Sequence, residues 1–179
     1  QDDYTLKSGI QYGSLKYNLL FYPNEKQHIS AGFQAISYRI NPGQIVPTQA
    51  ITNVIKSEMQ KEQSAEIALF ADDNFDLSEK LSMSVGFRYT GFFSYGTGRV
   101  YSYDSGVSKS TRSITDSTFF KSGEIIKSYH APEPRLALKI QLRNGGSLRL
   151  NYQRTHQFIS QISNSAVISP ADYWKSAGT

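Results

Sequence analysis

Apolar and polar side chains alternate with a period of two residues in several separate stretches of this sequence. In residues 81–93, Leu, Met, Val, Phe and Tyr occupy most odd-numbered positions, whereas Ser, Gly, Arg and Thr occupy most even-numbered ones. Successive side chains of a β-strand point to opposite faces, so this pattern predicts a strand with one apolar and one polar face. The same alternation occurs, more or less cleanly, in residues 15–22, 29–40, 66–75, 135–143 and 147–153. We therefore predict an all-β, antiparallel chain of about six long strands.

The connections between these stretches are alternately short and long. Three short ones, residues 23–26, 77–80 and 144–146, carry the Pro, Asn, Ser and Gly residues that favour tight turns. Two are long, roughly residues 41–63 and 96–132, and the second is rich in Ser, Thr, Tyr and Gly without a clear periodicity. Tight turns at one end of the strands and long loops at the other are typical of outer-membrane barrels. The sequence thus favours a segment of an antiparallel transmembrane β-barrel with short periplasmic turns and long extracellular loops.

The alternation alone fits more than one environment. In a membrane barrel the apolar face contacts lipid, and mid-strand Lys and Arg residues stay hydrated in the interior. In a soluble β-sandwich, for example one that binds carbohydrate, the apolar face is the core and the charges face solvent. A small stand-alone membrane barrel with a structural or adhesive role is a further alternative, in which residues 99–105 and 124–129 add a hairpin. The two long connections at the same end of the strands favour the large barrel, because compact soluble domains rarely carry such loops.

The composition bears on other classes of protein. No run approaches the ~20 apolar residues of a membrane-spanning helix, whereas a barrel strand needs only ~9–11 alternating residues. The sequence has no Cys, which excludes disulfides, thiolate metal sites and a cysteine nucleophile. The net charge of +4 arises from scattered Lys and Arg residues without a basic run, so no binding to nucleic acid is expected.

The residues that carry catalytic or metal chemistry elsewhere do not form a recognisable pattern here. His28, His130 and His156 are far apart and lack the spacing of a zinc site. Neither a nucleophile elbow nor a phosphate-binding loop occurs. We therefore predict that the chain is not an enzyme, and we assign it no catalytic residue, metal or cofactor.

Two groups of residues are candidates for contact with solutes or partners. Charged residues on polar strand faces are candidates for the barrel interior, where they would face a plug or a solute: Glu66, Arg88, Arg135 and Lys139. Aromatic residues of the long second connection are candidates for contact with a ligand or a partner, or for loop packing: Tyr101, Tyr103, Phe119, Phe120 and Tyr129. Aromatic residues near strand ends are expected in the membrane-interface girdles: Phe92, Phe93 and Tyr95 in the outer one, Phe21 and Tyr22 in the inner one.

Residues 48–63 permit two interpretations. Ile51, Val54, Ile55 and Met59 roughly share one stripe of a short amphipathic helix. Equally, residues 54–62 extend the strand that follows.

A series of short motifs follows the chain in order over nearly its whole length: Ser-Leu-Lys at 14–16, Pro-Gly at 42–43, Glu-Ile-Ala-Leu-Phe-Ala-Asp-Asp at 66–73, Leu-Ser-Glu-Lys-Leu at 77–81, Gly-Phe-Arg-Tyr at 86–89, Glu-Pro-Arg-Leu-Ala-Leu at 133–138, Ser-Leu-Arg at 147–149 and Ile-Ser-Asn-Ser-Ala at 162–166. By these motifs and their order, the sequence resembles the C-terminal barrel of TonB-dependent receptors, in particular the SusC-type importers that carry a carboxypeptidase-regulatory-like domain.

The resemblance implies a role in nutrient import across the bacterial outer membrane. A receptor of this family closes about 22 strands around a plug domain, and residues 1–179 would form part of that barrel without the plug. The imported ligand would be a glycan, a peptide or a siderophore, with energy supplied by the TonB complex through the plug. The implied partners are membrane lipid, the remaining strands and plug, and in some members a SusD-like surface lipoprotein.

Overall fold

The computed structural model describes residues 4–48, 57–108, 110–163 and 172–177. Nine β-strands and one 3-10 turn, Thr111–Ser113, make up the regular structure of these residues. The strands are β1 (Tyr4–Asn24), β2 (Gln27–Pro47), β3 (Ser57–Glu58), β4 (Glu62–Ser78), β5 (Leu81–Tyr103), β6 (Ile114–Gln141), β7 (Ser147–Gln153), β8 (Ile159–Ile162) and β9 (Tyr173–Ser176). Within the described ranges, no helix has the length and apolar character needed to cross a membrane.

The main sheet is an antiparallel meander in which each strand pairs with the next long strand of the chain. Its order is β1-β2-β4-β5-β6-β7, with the two-residue β3 added to β2, and β8 pairs with β9 in a separate small sheet. The prediction of an all-β, antiparallel fold is therefore confirmed, with six strands following one another along the main sheet. The sheet is open in the described part of the chain, since β1 and β7 pair on one side only.

The three short turns lie where the sequence predicts them. Asn24 Oδ1 accepts a hydrogen bond from Lys26 N at 2.9 Å, and Ser78 Oγ accepts one from Lys80 N at 3.3 Å. In the third turn Leu142 N donates to Gly146 O, and Gly145 has a φ of 76°, which favours glycine. Local side-chain acceptors and one left-handed glycine thus close the three turns.

Most of the described residues in the two predicted long loops belong to strands, so that part of the prediction was wrong. β5 continues to Tyr103 and β6 begins at Ile114, which leaves residues 104–113 as the connection. Residues 41–47 similarly extend β2. The β5–β6 ladder is irregular at Ser94/Tyr95, Gly96/Gly98 and Ser102/Tyr103. Each irregularity shifts the side chains relative to the two faces, so pairing persists although the two-residue alternation disappears.

The two faces of the main sheet differ in both chemistry and exposure. Cross-strand neighbours form apolar rows on one face, the apolar face: Tyr17, Phe33, Leu69 and Tyr89 in one row, Leu19, Ala31, Ala71 and Phe87 in the next, and Val85, Leu136 and Tyr152 in a third. Among these, Leu69 is 62% exposed and Phe87 is 51% exposed. One polar pair interrupts this face, where Gln27 Nε2 donates to Asp73 Oδ2 at 2.8 Å.

The opposite face, the polar face, contains the buried residues of the sheet. The buried apolar residues of this face are Ile40, Ala68, Phe92 and Ala131. Its buried polar residues are more numerous: Glu62, Ser64, Thr90, Ser94 and Glu133. Exposed apolar rows thus lie on one face, whereas the buried positions of the other face include Glu62 and Glu133. A sheet that contacts water and a packed core has the reverse arrangement.

The chain leaves the sheet at the end of β7 because β6 offers no further hydrogen-bond donors there. Arg154 N donates to Pro134 O at 3.1 Å, so the backbone of residue 134 faces β7. In an antiparallel ladder the N and O of one residue face the same neighbour. Pro134 and Pro132 therefore lack their N–H on this side, and the ladder ends at Gln153. The following residues cross the polar face and form β8 and β9; residues 154–163 with 172–177 are called the strap below.

Candidate functional site

Arg88 lies at the centre of a charge cluster on the polar face. It occupies the middle of β5, directly opposite Glu133 of β6 and Phe70 of β4. Its Nη2 is 3.1 Å from Glu66 Oε1, and its Nε is 3.4 Å from Glu133 Oε2. One guanidinium thus lies between two carboxylates from neighbouring strands.

Neutral groups complete the coordination of this guanidinium. Arg88 Nη1 donates to Gln34 Oε1 at 3.0 Å, and Nε donates to Thr90 Oγ1 at 3.1 Å. The side chain of Arg88 is only 16% exposed and that of Glu133 only 6%. Buried charges are tolerated where partners of opposite charge and hydrogen bonds replace water, and this cluster provides both across β2, β4, β5 and β6.

Glu133 also connects the sheet to the strap. Its Oε1 accepts a hydrogen bond from the backbone N of His156 at 2.8 Å, and His156 Nδ1 lies 3.5 Å from the same oxygen. Its Oε2 faces Arg88 and Thr90. Because both oxygens are used, Glu133 holds the first residues of the strap against the centre of the polar face.

Aromatic rings extend this contact. Phe158 of the strap stacks on Phe92 with ring centroids 4.8 Å apart and planes inclined by 8°. Tyr129 lies beside the same ring at 6.2 Å and His156 at 6.3 Å. This packing buries Phe92 completely. Phe92 is therefore not a girdle residue as predicted, because it shares the face of Arg88 and Thr90 and the strap covers it.

A second carboxylate, Glu62, holds the other end of the strap. Lys175 Nζ donates to Glu62 Oε1 at 2.8 Å, and the N and Oγ of Ser176 donate to Oε2 at 2.8 and 2.7 Å. Burial raises the pKa of Glu62, but these hydrogen bonds and the charge of Lys175 lower it by more. The pKa of Glu62 consequently lies below its ordinary value. Glu62 is at the loop end of β4, beyond Ile67, the last exposed apolar residue of that strand in this direction.

The structure brings together two of the four predicted interior residues. Glu66 and Arg88 form the ion pair described above, whereas Arg135 and Lys139 lie on the same face nearer the turns. Arg135 is beside Gly86, where an added Cβ would contact its Cβ at 3.6 Å and overlap Asp72 Oδ1. Whether these residues face a barrel interior remains a prediction.

The predicted loop aromatics lie on paired strands rather than in an irregular loop. Tyr101 and Tyr103 belong to β5, and Phe119, Phe120 and Tyr129 belong to β6. Tyr101 and Tyr103 line one cavity with Tyr173 and Lys175 of the strap. Phe119 is 58% exposed and pairs with Arg99, and Phe120 pairs with Gly98. The prediction of their place was wrong because the bulges of β5 hide the strand pattern.

Sequence reasoning did not identify the hydrogen bond of Gln34 to Arg88. Nor did it identify the residues that join sheet and strap: Glu62, Glu133, His156, Phe158 and Lys175. A partial signal existed for Glu133, which is two positions from Arg135 and therefore on the same strand face. Its pairing with Arg88 was not readable, since the β5–β6 connection is too long to fix the register from a turn.

Comparisons with known proteins add no assignment to this geometry. The chain matches no protein-family model, no curated protein and no solved structure. In the described ranges, no group of three or more His, Asp or Glu side chains is placed to hold a metal ion. The arrangement itself provides mutual neutralisation of buried charges and attachment of the strap to the sheet.

Proposed function

We propose that the sheet is part of the wall of an outer-membrane β-barrel, with its apolar face toward lipid and its polar face toward the interior. The observation that carries this proposal is the contrast between the exposed apolar rows of one face and the buried charge cluster of the other. Leu69, Phe87 and Leu150 are 62%, 51% and 56% exposed, whereas Glu133 is 4% exposed. Lipid is the solvent in which exposed apolar rows of this extent are stable, since soluble proteins rarely expose large contiguous apolar patches.

Strand length supports the same proposal. The five long strands of the sheet contain 17 to 28 residues. Strands of globular domains usually contain about 3–10 residues, and a membrane crossing takes ~9–11. Strands of this length cross a bilayer and extend beyond it. A soluble β-sandwich is not favoured, because no second sheet covers the apolar face in the part of the chain that the structure describes.

Within this class, we propose that the barrel belongs to a TonB-dependent importer of a nutrient ligand. The resemblance of the sequence to SusC-type receptors supports this assignment. The remaining barrel strands would pair with the free edge of β1. The other partners would be the plug, the TonB complex and a SusD-like surface lipoprotein. The charge cluster and strap would then lie inside the barrel, between its interior and the outer loops.

Single charged substitutions on the two faces test the barrel proposal. In the full-length protein, Leu69→Arg and Phe87→Arg place a charge in lipid and should prevent insertion, because an Arg near the midplane costs about 2–4 kcal/mol. Asn18→Arg, at an exposed position of β1 in the same cross-strand row of the polar face as Arg88, is the control and should be tolerated. The measurement is the amount of folded, heat-modifiable protein in the outer-membrane fraction. Equal tolerance of all three substitutions would contradict the proposal.

The importer class needs a separate experiment. The full-length receptor, purified in detergent, should bind the isolated periplasmic domain of TonB. A folded outer-membrane barrel that shows no such binding would retain the barrel assignment and remove the importer one.

A further inference from the structure

A cleft of about 420 Å³ opens on the polar face near the turns, away from the charge cluster. Ser82, Ser84 and Ala137 are neighbours across β5 and β6, and the cleft forms above them because their side chains are small. Lys139 and Arg149 line it, together with the amide of Asn151. The cleft therefore combines a floor of small residues with neutral hydrogen-bonding groups and three long cationic side chains, since Lys26 also lines it.

Two of these cations are direct cross-strand neighbours. Lys139 of β6 pairs with Arg149 of β7, and the apolar pairs Leu138–Leu150 and Ile140–Leu148 flank them. A slip of one residue would turn these four apolar side chains to the polar face, so the register is fixed. Like charges directly opposite each other destabilise a sheet. The register therefore places two cations side by side on the polar face.

No carboxylate of the described residues neutralises this pair. The ion pairs in the described ranges involve Arg88, Lys61, Lys175 and His156, and neither Lys139 nor Arg149 is among them. Asp76 also lines the cleft, but Ser82 of β5 lies between it and Lys139 in the cross-strand row. Two strand spacings, about 10 Å between backbones, separate the acid from the nearer cation. The Arg88 cluster on the same face, in contrast, is fully paired.

We propose that this cleft binds an anionic group, a carboxylate or a phosphate, between Lys139 and Arg149. The guanidinium presents two parallel N–H donors that match such oxygens, and the ammonium adds a point charge. The hydroxyl of Ser84 and the amide of Asn151 are neutral donors beside them. The anion comes either from solution or from an acidic side chain of another part of the full-length protein. The proposal does not depend on the importer assignment, because it uses only the register and side chains of the polar face.

The sign of a stability change tests the proposal. The melting temperature of the full-length protein in detergent is measured for Lys139→Gln and Arg149→Gln, in sodium chloride and in sodium phosphate of equal ionic strength. Arg143→Gln, in the adjacent turn and outside the cleft, is the matched control for loss of one charge. With an anion bound, removal of either cation lowers the melting temperature by roughly 2–4 °C relative to this control. Without one, removal relieves the repulsion of like charges and raises it.

The salt comparison distinguishes the two sources. For an anion from solution, phosphate raises the melting temperature of the unsubstituted protein above its value in chloride, and both variants lose this rise. For an internal acid, each substitution lowers the melting temperature by the same amount in both salts. Lys139→Glu then lowers it more than Lys139→Gln, because the introduced carboxylate repels the acid. Variants as stable as the control or more stable, with no effect of phosphate, would overturn the proposal.

Discussion

At the scale of single residues, the molecule depends on charges that are buried where a soluble sheet would expose them. Arg88 is coordinated by Glu66, Glu133, Gln34 and Thr90 from four adjacent strands. Removal of one partner from such a group leaves the others desolvated and uncompensated. The cluster therefore makes the stability of the sheet centre sensitive to individual side chains.

Arg88→Met should consequently lower the free energy of unfolding by about 3–5 kcal/mol, because Glu66 and Glu133 remain buried without their cation. Urea unfolding of the full-length protein in detergent measures the change. Arg112→Met is the control, since Arg112 is exposed at the β5–β6 connection and should cost less than about 0.5 kcal/mol. Similar values for both variants would show that the cluster does not stabilise the sheet.

Gly86 is a second sensitive position, because a Cβ added there would overlap Asp72 Oδ1 and force that carboxylate to move. We expect Gly86→Ala to cost about 1–3 kcal/mol through overpacking. Gly13→Ala, on β1, is the matched control, since an added Cβ meets no atom within 4 Å there. Combination of Gly86→Ala with Asp72→Ala should recover part of the loss. Additive losses in the double variant would mean that the two side chains do not interact.

The candidate site was only partly predictable at this scale. The sequence places Glu66 and Arg88 on polar strand faces, because the two-residue alternation is clean around both. It does not show that they pair, since contact between them needs the β4–β5 register across the whole hairpin. Glu62 and Lys175 are 113 residues apart in sequence, and no local pattern predicts contact at that separation.

At the scale of elements, strands were predicted where alternation is regular and missed where it is interrupted. The chain from 96 to 103 reads as loop because of Gly96 and Gly98, yet it continues β5 through ladder irregularities. Pro132 and Pro134 indicated that β6 lacks backbone N–H donors toward β7 at these two positions, but the strand prediction did not use them. The amphipathic helix considered for residues 48–63 falls partly outside the described residues. The described part, 57–63, is extended or irregular.

The strap should separate from the sheet in acid. The pKa of Glu62 is lower in the folded protein than its ordinary value of 4.5, so its contribution to docking is complete above that pH. The contribution is lost as the pH falls through the lower, folded value. A nitroxide at Ser160, which is exposed on β8, should become more mobile in electron paramagnetic resonance spectra over this range.

Glu62→Gln provides the control for this prediction. The amide keeps an acceptor for Ser176 but loses the charge that attracts Lys175 and no longer titrates. The label should then be more mobile already at neutral pH, without a transition in acid. An acid transition of the same size in Glu62→Gln would assign the change to other groups.

At the scale of the whole molecule, the central claim concerns the solvents of the two faces. The prediction of one apolar and one polar face follows from period-two alternation, and the cross-strand rows confirm it for the regular parts of β2, β4, β5, β6 and β7. The identity of the apolar solvent does not follow from alternation, because a protein core and a bilayer select the same residues. Exposure of Leu15, Leu69, Phe87 and Leu150 in the folded chain favours the bilayer.

The most direct test is a nitroxide scan of residues 82–90 in the full-length protein reconstituted into lipid vesicles. The chain contains no Cys, so single cysteines label without competition from this segment. We predict that odd-numbered positions such as Val85 and Phe87 show high accessibility to oxygen and low accessibility to a water-soluble nickel complex. Even-numbered positions such as Ser84 should show less contact with oxygen. Odd positions shielded from both reagents, as in a packed soluble core, or open to the nickel complex, would contradict the account.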